Sequence, residues 1–276
     1  MANATATHDL NSMPPETAAR LIFDAFKKPS RVALRPADEP VMASAQRSAL
    51  DIDGQQVAVY QWGHGDRLAV CVHGWSARAA DFCAFVEPLT AAGYRVVAFD
   101  NLGHGESGGD TATLLDVHAI LMALQQRNGP ADVVVAHSLG VLYAFYALNH
   151  DVHASHLVAL SGICDFSYLI TRYTASLNLR PETVDLLKRH LEALFGKPTI
   201  WHEFSSDNNL AGLRARVTLI HDADDEFVEL SQSEKLLAAL DGVADLQVFK
   251  GLGHRRILSE PAVVAHALDR ITRAQS

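Results

Sequence analysis

Short apolar runs alternate with amphipathic segments along this chain, from residue 46 to the C-terminus. The apolar runs are almost uninterrupted, which is typical of strands buried on both faces of a parallel sheet. They cover residues 68–73, 95–100, 132–137, 156–161, 217–221 and 246–249. Residues 49–52 and 57–62, which are separated by Asp53-Gly54, add a predicted β-hairpin.

Helical periodicity fills most of the intervals between these predicted strands. The helical segments are 79–92, 113–127, 139–149, 231–240 and, after the last strand, 261–273. Strands that alternate with amphipathic helices are typical of an α/β fold. We therefore expect a mostly parallel, eight-stranded sheet that is covered by helices on both faces.

One long segment breaks this alternation. Residues 164–213 carry helical patterns at 166–177 and 181–195 and show no strand pattern. Because a further sheet strand follows, we expect an inserted all-helical cap that divides the core into residues 46–163 and 214–276.

The first 45 residues also differ from the rest. Residues 15–28 predict an amphipathic helix with Leu21, Ile22, Ala25 and Phe26 on one face, and an irregular connector follows it. This helix could dock on the cap, cover the core or mediate dimerisation, so the sequence leaves a homodimer open.

Composition narrows the function classes. The net charge is −9 over 276 residues, and no dense Lys/Arg patch stands out, so we expect no nucleic-acid partner. Residues 1–17 lack a basic stretch followed by an apolar core, and no apolar run is long enough to span a membrane. The three cysteines lack CxxC spacing. We expect a soluble, cytoplasmic protein without a membrane partner.

The strongest chemical signal is the sequence VVVAHSLG at positions 133–140. A strand that turns sharply into a helix needs small residues around the turn, and Ala136 and Gly140 flank Ser138 there. The residue at the apex of such a turn is forced outward, which suits a nucleophile. A serine hydroxyl also needs a base and a group that orients the base.

Other polar motifs follow predicted strands. They are HGW at 73–75, DNLGHGES at 100–107, DADD at 222–225 and GLGH at 251–254. Because ligands of open α/β sheets bind beyond the carboxyl ends of the strands, we expect these motifs to meet. Together with AHSLG, in this order and spacing, they resemble the α/β-hydrolase family from about residue 49 to the C-terminus.

The resemblance implies a role for each motif. Ser138 would be the nucleophile and His254 the general base and then acid, while Asp225 would orient His254. Asp224 is the alternative to Asp225, and the Asp225-x-x-Val228 spacing favours Asp225. The backbone N–H groups of Trp75 and Leu139 are the expected oxyanion donors.

The same resemblance implies a serine hydrolase that cleaves carboxylic esters of small to medium acyl groups and needs no cofactor or metal. Trp201, Phe204 and His137 are candidates for the substrate pocket, and the alternative for Trp201 and Phe204 is that they attach the cap to the core. The alternatives are a carbon–carbon bond hydrolase or perhydrolase of the same fold, or a ligand-sensing protein with slow turnover.

Overall fold

The computed structural model describes residues 10–208 and 210–273. Residues 1–9, which make up half of the segment in which we expect no signal peptide, lie outside the described residues. So do Asn209, within the predicted cap, and residues 274–276.

The eight predicted strands are present and form one sheet in the order β1-β2-β4-β3-β5-β6-β7-β8. Their bounds are β1 Gln46–Ile52, β2 Gln55–Trp62, β3 Arg67–Val72, β4 Tyr94–Phe99, β5 Ala131–His137, β6 Ala154–Leu160, β7 Arg216–Asp222 and β8 Ala244–Phe249. β2 pairs antiparallel with β1 and β4, and every other neighbouring pair is parallel. The predicted mostly parallel sheet is confirmed.

Helices account for most of the remaining structure. They are α1 Pro15–Phe26, α2 Glu39–Ala43, α3 Cys83–Ala91, α4 Leu114–Asn128, α5 Leu139–Leu148, α6 Phe166–Ser176, α7 Pro181–Phe195, α8 Ile200–Glu203, α9 Leu230–Ala239, α10 Gly253–Arg256 and α11 Pro261–Arg273. Local chemistry explains several of their ends. Thr113 and Asp116 form a capping box at the start of α4, and Gly196 ends α7 in the left-handed conformation.

Two apolar cores lie on opposite faces of the sheet. Along β5, Val134 and Ala136 belong to one core, while Val133 and Val135 belong to the other. This alternation follows from the two-residue period of a strand. Helices α4, α5 and α9 cover the first face, and α3 and α11 cover the second, as predicted.

The segment between β6 and β7 is helical. It contains α6, α7 and α8, and its described residues contain no strand. The expected helical excursion between two sheet strands is therefore present, and the exact domain boundaries stay a prediction.

The first helix docks on the cap, which is one of the three interpretations, and its buried face overlaps in part with the predicted one. α1 packs against cap helix α7, and Arg180 before α7 donates a hydrogen bond to the Met13 carbonyl at 2.7 Å. The buried side chains of α1 are Ala18, Ala19 and Ile22, whereas Leu21 is 47% exposed. The predicted face is therefore right for Ile22 and for Phe26, whose ring stacks on Trp75, and wrong for Leu21 and Ala25, which are exposed.

Candidate active site

The carboxyl ends of the parallel strands bring the predicted motifs to one edge of the sheet. Ser138 follows β5 directly and precedes α5, with φ of 57° and ψ of −126°. A positive φ is uncommon for serine, and strain of this kind concentrates at functional sites. A Cβ on Gly140 would lie 2.3 Å from the Val72 carbonyl oxygen, so only glycine permits this turn.

Three side chains form a chain of hydrogen bonds at this edge. The His254 Nε2 lies 3.0 Å from the Ser138 Oγ, and the His254 Nδ1 lies 2.7 Å from the Asp225 Oδ2. Because the carboxylate accepts the Nδ1 proton, the Nε2 atom is the one free to take a proton from the serine hydroxyl. The structure therefore brings Ser138, His254 and Asp225 into the arrangement of nucleophile, base and orienting acid.

Backbone groups hold the Asp225 carboxylate from the side opposite His254. Its Oδ1 accepts hydrogen bonds from the N–H groups of Phe227 and Val228, at 2.8 and 2.9 Å. Burial raises the pKa of Asp225, but these bonds and the contact with His254 outweigh burial and lower it to about 2. The carboxylate is thus an anion that can stabilise a protonated His254.

The other two aspartates of the 222–225 loop have a different task. The buried Asp222 carboxylate accepts hydrogen bonds from the N–H groups of Leu252 and Gly253, at 3.0 and 2.9 Å. Asp224 accepts one from the Gly251 N–H at 3.0 Å. Both carboxylates hold the loop that carries His254. Sequence reasoning missed this role, although three aspartates in four residues after a strand were its signal.

A cleft beside Ser138 is lined by His254 and by His137, whose ring packs against that of His254. The His137 Nε2 donates a hydrogen bond to the His254 carbonyl at 2.8 Å, and the two ring centroids are 4.7 Å apart. Burial, together with the nearby His254, lowers the pKa of His137 to about 3. A neutral His137 therefore supports the loop of the base from below.

The predicted oxyanion donors lie on either side of Ser138. Leu139 is the first residue of α5, so its N–H has no acceptor within the helix. Trp75 follows Gly74, where an added Cβ would lie 2.9 Å from the Ser138 Cβ. The close approach that glycine allows brings the 74–76 loop against the serine turn.

Two buried histidines support the 74–76 loop and its neighbour after β4. The His73 Nε2 accepts a hydrogen bond from the Asn101 N–H at 2.9 Å, and the His104 Nε2 accepts one from the Ser76 N–H at 3.0 Å. Burial lowers the pKa of both, in the case of His104 to about 3. Both histidines thus support these turns through hydrogen bonds.

The structure places two of the predicted pocket residues away from the cleft beside Ser138. Phe204 is 2% exposed and packs its ring against those of Tyr146 and Phe195. The indole N–H of Trp201 donates to Glu192 on α7 at 2.7 Å. Their second interpretation, attachment of the cap, fits these contacts better, because Trp201 joins cap helices to one another and Phe204 joins the cap to Tyr146 on α5.

Another aromatic side chain does lie at the site. The Phe227 ring is 55% exposed, and its centroid is 5.3 Å from that of His254. The signal for it in the sequence is an aromatic residue within a loop of acidic residues. An exposed ring beside the base is available to contact an apolar substrate group.

Comparisons with known proteins identify the family of this chain. The family model described as the alpha/beta hydrolase family matches residues 69–267. The chain therefore belongs to the alpha/beta hydrolase family.

The individual relatives are named for different activities. A 2-hydroxy-6-oxononadienedioate/2-hydroxy-6-oxononatrienedioate hydrolase of Escherichia coli is 23% identical over 241 residues, covering 70% of this chain and 82% of the relative. A non-heme chloroperoxidase of Kitasatospora aureofaciens is 34% identical over 94 residues, covering 32% of this chain and 33% of the relative. An esterase of Pyrococcus furiosus superposes with a TM-score of 0.67 at 20% identity, covering 91% of this chain and 98% of the esterase. This last likeness shows the fold.

Two further findings concern the described part of the chain alone. Within residues 10–208 and 210–273, none of the helices combines the length and apolar character that crossing a bilayer requires. The same residues contain no cluster of three His, Cys, Asp or Glu side chains placed to hold a metal ion.

Proposed function

We propose that this protein is a serine hydrolase that cleaves carboxylic esters of small to medium acyl groups through an acyl-enzyme. The observation that carries the proposal is the continuous hydrogen-bonded arrangement of Ser138, His254 and Asp225. The positive φ of Ser138 adds support, because it exposes the hydroxyl at the edge of the sheet where a substrate can reach it.

In the acylation step, the Ser138 Oγ attacks the carbonyl carbon of the ester while His254 Nε2 takes the hydroxyl proton. The electron pair of the carbonyl bond moves to its oxygen, and the Asp225 carboxylate stabilises the imidazolium. Collapse of the intermediate breaks the bond to the alkoxide, which leaves with the proton from His254. Water then repeats the sequence and releases the acid, which regenerates the Ser138 hydroxyl.

The N–H groups of Trp75 and Leu139 would stabilise the negative oxygen of both intermediates. Each such donor contributes about 3–4 kcal/mol in well-studied hydrolases. Leu139 adds the N-terminal end of α5, where the helix dipole also favours negative charge. Neither donor has to move far, because the serine turn and Gly74 are packed against each other.

A specific feature favours a second candidate, the hydrolysis of a carbon–carbon bond in a dicarboxylate. Arg255 follows His254, lines the cleft with Ser138 and Trp75, and is exposed. Within residues 10–208 and 210–273 its guanidinium has no hydrogen bond or ion pair, whereas Arg35, across the same cleft, is paired with Asp38. A free guanidinium suits a substrate carboxylate, and the Escherichia coli relative is named for a dioate substrate.

Turnover of p-nitrophenyl acetate, butyrate, octanoate and palmitate by wild type and Ser138→Ala tests the proposal. We expect wild type to show one preferred chain length and Ser138→Ala to lose roughly 10⁶-fold in kcat. A 2-hydroxy-6-oxo-dienedioate, assayed in parallel with wild type and Arg255→Gln, tests the second candidate.

The outcomes separate the alternatives. Turnover of the dioate alone, with a KM that rises in Arg255→Gln, would replace the ester proposal with carbon–carbon hydrolysis. Folded wild type that turns over neither substrate but forms a long-lived adduct at Ser138 would favour a slow ligand sensor instead.

A further inference from the structure

The segment between α1 and the sheet crosses the candidate active site. Residues 27–35, which we call the strap, run from the cap side of the cleft to the region of α3. The Lys27 carbonyl accepts a hydrogen bond from the Ala112 N–H at 3.2 Å, and the Val32 carbonyl accepts one from Arg78 at 3.2 Å. Both ends of the strap are therefore tied to the core.

The middle of the strap contacts the loops behind the oxyanion donors. The Arg31 guanidinium donates three hydrogen bonds to carbonyl groups of the loop after β4. The acceptors are His104, Gly105 and Gly109, at 3.0, 2.8 and 2.8 Å. A planar guanidinium that bonds three carbonyls of one loop restrains that loop in more than one direction.

The strap also contacts the 74–76 loop directly. The Ser30 N–H donates a hydrogen bond to the Ser76 Oγ at 3.0 Å. The Ser76 N–H in turn donates to His104 Nε2. The strap therefore holds Ser76 directly through Ser30 and indirectly through Arg31 and His104. Ser76 has a φ of 49°, a conformation that serine adopts only where its surroundings impose it.

These contacts determine the orientation of Trp75. The Trp75 ring packs edge-on against His104 with centroids 5.4 Å apart, and it stacks on Phe26, at the end of α1, at 6.4 Å. Trp75 is thus held by both of its neighbours in the chain. Ser76 donates a hydrogen bond to His104, and Gly74 packs against the Ser138 turn. A shift of the loop after β4 would rotate the peptide that carries the Trp75 N–H.

We propose that Arg31 is a positioning residue that holds the Trp75 N–H toward Ser138, by fixing His104 and, through His104, Ser76. The inference rests on the proposed function, because it assigns a catalytic task to the Trp75 N–H. It also gives residues 27–35, which lie outside the sheet and the cap, a part in building the site.

The test compares Arg31→Ala and Arg31→Lys with Lys28→Ala as the matched control. Lys28 lies on the same strap, is exposed, and makes no side-chain bond to the loops after β3 or β4 within the described residues. kcat and KM are measured with p-nitrophenyl butyrate, together with the melting temperature and the inhibition constant of phenylboronic acid. This acid forms a tetrahedral adduct with the serine, so its affinity reports on the oxyanion donors.

We expect Arg31→Ala to lower kcat about tenfold, less than the 10²–10³-fold that removal of an oxyanion donor costs. KM should stay within about twofold, and the affinity for phenylboronic acid should fall in step with kcat. Arg31→Lys should recover part of the loss, because a lysine can reach one of the three carbonyls but not all of them. Lys28→Ala should match wild type.

Equal kcat and equal boronic-acid affinity in wild type and a folded Arg31→Ala would overturn the inference. So would losses in Arg31→Ala that Lys28→Ala shares. If Arg31→Ala does not fold, Arg31→Lys carries the test, because a lysine cannot reach all three carbonyls; kcat and boronic-acid affinity equal to wild type in a folded Arg31→Lys would also overturn the inference. Failure of the proposed function appears differently, as a wild type without Ser138-dependent turnover, and it removes the inference as well.

Discussion

The two sides of the Ser138 turn are held by different parts of the chain. On the His254 side, carboxylates at the end of β7 and the ring of His137 at the end of β5 hold the loop that carries the base. On the oxyanion side, His104 and a strap from the N-terminal region hold the 74–76 loop. The loop of the candidate base is thus held by residues at the strand ends of the sheet, whereas the loop of the candidate oxyanion donor Trp75 is also held by a segment outside the sheet.

Of the variants that separate the two sides, one that replaces Asp225, the candidate orienting acid, should have the largest effect on kcat. Asp225→Asn is expected to lower kcat about 10⁴-fold, because the amide favours the wrong tautomer of His254. Asp224→Asn is the control, since the Asp224 carboxylate accepts a hydrogen bond from the Gly251 N–H and, within the described residues, makes none with the His254 side chain. Kinetics with one ester for both variants check the assignment. A large loss in Asp224→Asn alone would show that the acid has been assigned to the wrong residue.

Loosening the loop that carries His254 should lower kcat less than replacing Asp225. In Asp222→Asn, an amide N–H₂ group replaces one of the two carboxylate oxygens and cannot accept a hydrogen bond, so the bond from either Leu252 or Gly253 is lost. We expect kcat to fall roughly 10–100-fold through a displaced His254. We also expect the free energy of unfolding to fall by about 1–3 kcal/mol. Activity equal to wild type at lowered stability would mean that Asp222 supports the fold but not the base.

A lower pH should destabilise the fold on both sides of the Ser138 turn, because each side contains a buried histidine. The folded-state pKa values of His104 and His137 are lowered to about 3, first by burial and then by a neighbouring imidazole. Between pH 6.5 and 3 the unfolded chain binds protons that the folded protein excludes, so stability is lost as the pH falls. Each residue should cost about 2 kcal/mol at pH 5.

Urea unfolding of wild type and His104→Gln at pH 7.5 and pH 5 measures this loss. The variant should lose less stability on acidification than wild type, whereas the exposed His64→Gln control should follow wild type. An identical pH dependence in all three proteins would show that His104 does not take part.

The smallest expected effect concerns substrate contact on the His254 side. Phe227→Ala should raise KM for p-nitrophenyl octanoate roughly threefold, because a half-exposed ring offers less contact than a closed pocket. KM for the acetate should change little, and so should kcat for both esters. A uniform drop in kcat instead would indicate that the ring helps to position His254.

Strand order along the chain and the identity of the serine turn could be predicted from local pattern. Continuous apolar runs, the small residues around Ser138, and polar motifs after the strands are properties of short segments. The face of α1 could not be predicted in this way, because Leu21 is apolar yet exposed while Ala18 and Ala19 make the contact. The positions of Trp201 and Phe204 also escaped prediction, since an aromatic residue in a cap fits either a pocket or a cap core.

The sequence by itself determined the α/β alternation, the helical excursion between β6 and β7, and the residues that could act as nucleophile, base and acid. Each of these depends on neighbours within a few positions, where backbone geometry and side-chain size leave few choices. Tertiary structure alone decided what supports the loop that carries His254, and that Arg31 lies against the loop after β4, 73 residues away from His104. Such contacts depend on how separate segments pack, and no local pattern encodes that packing.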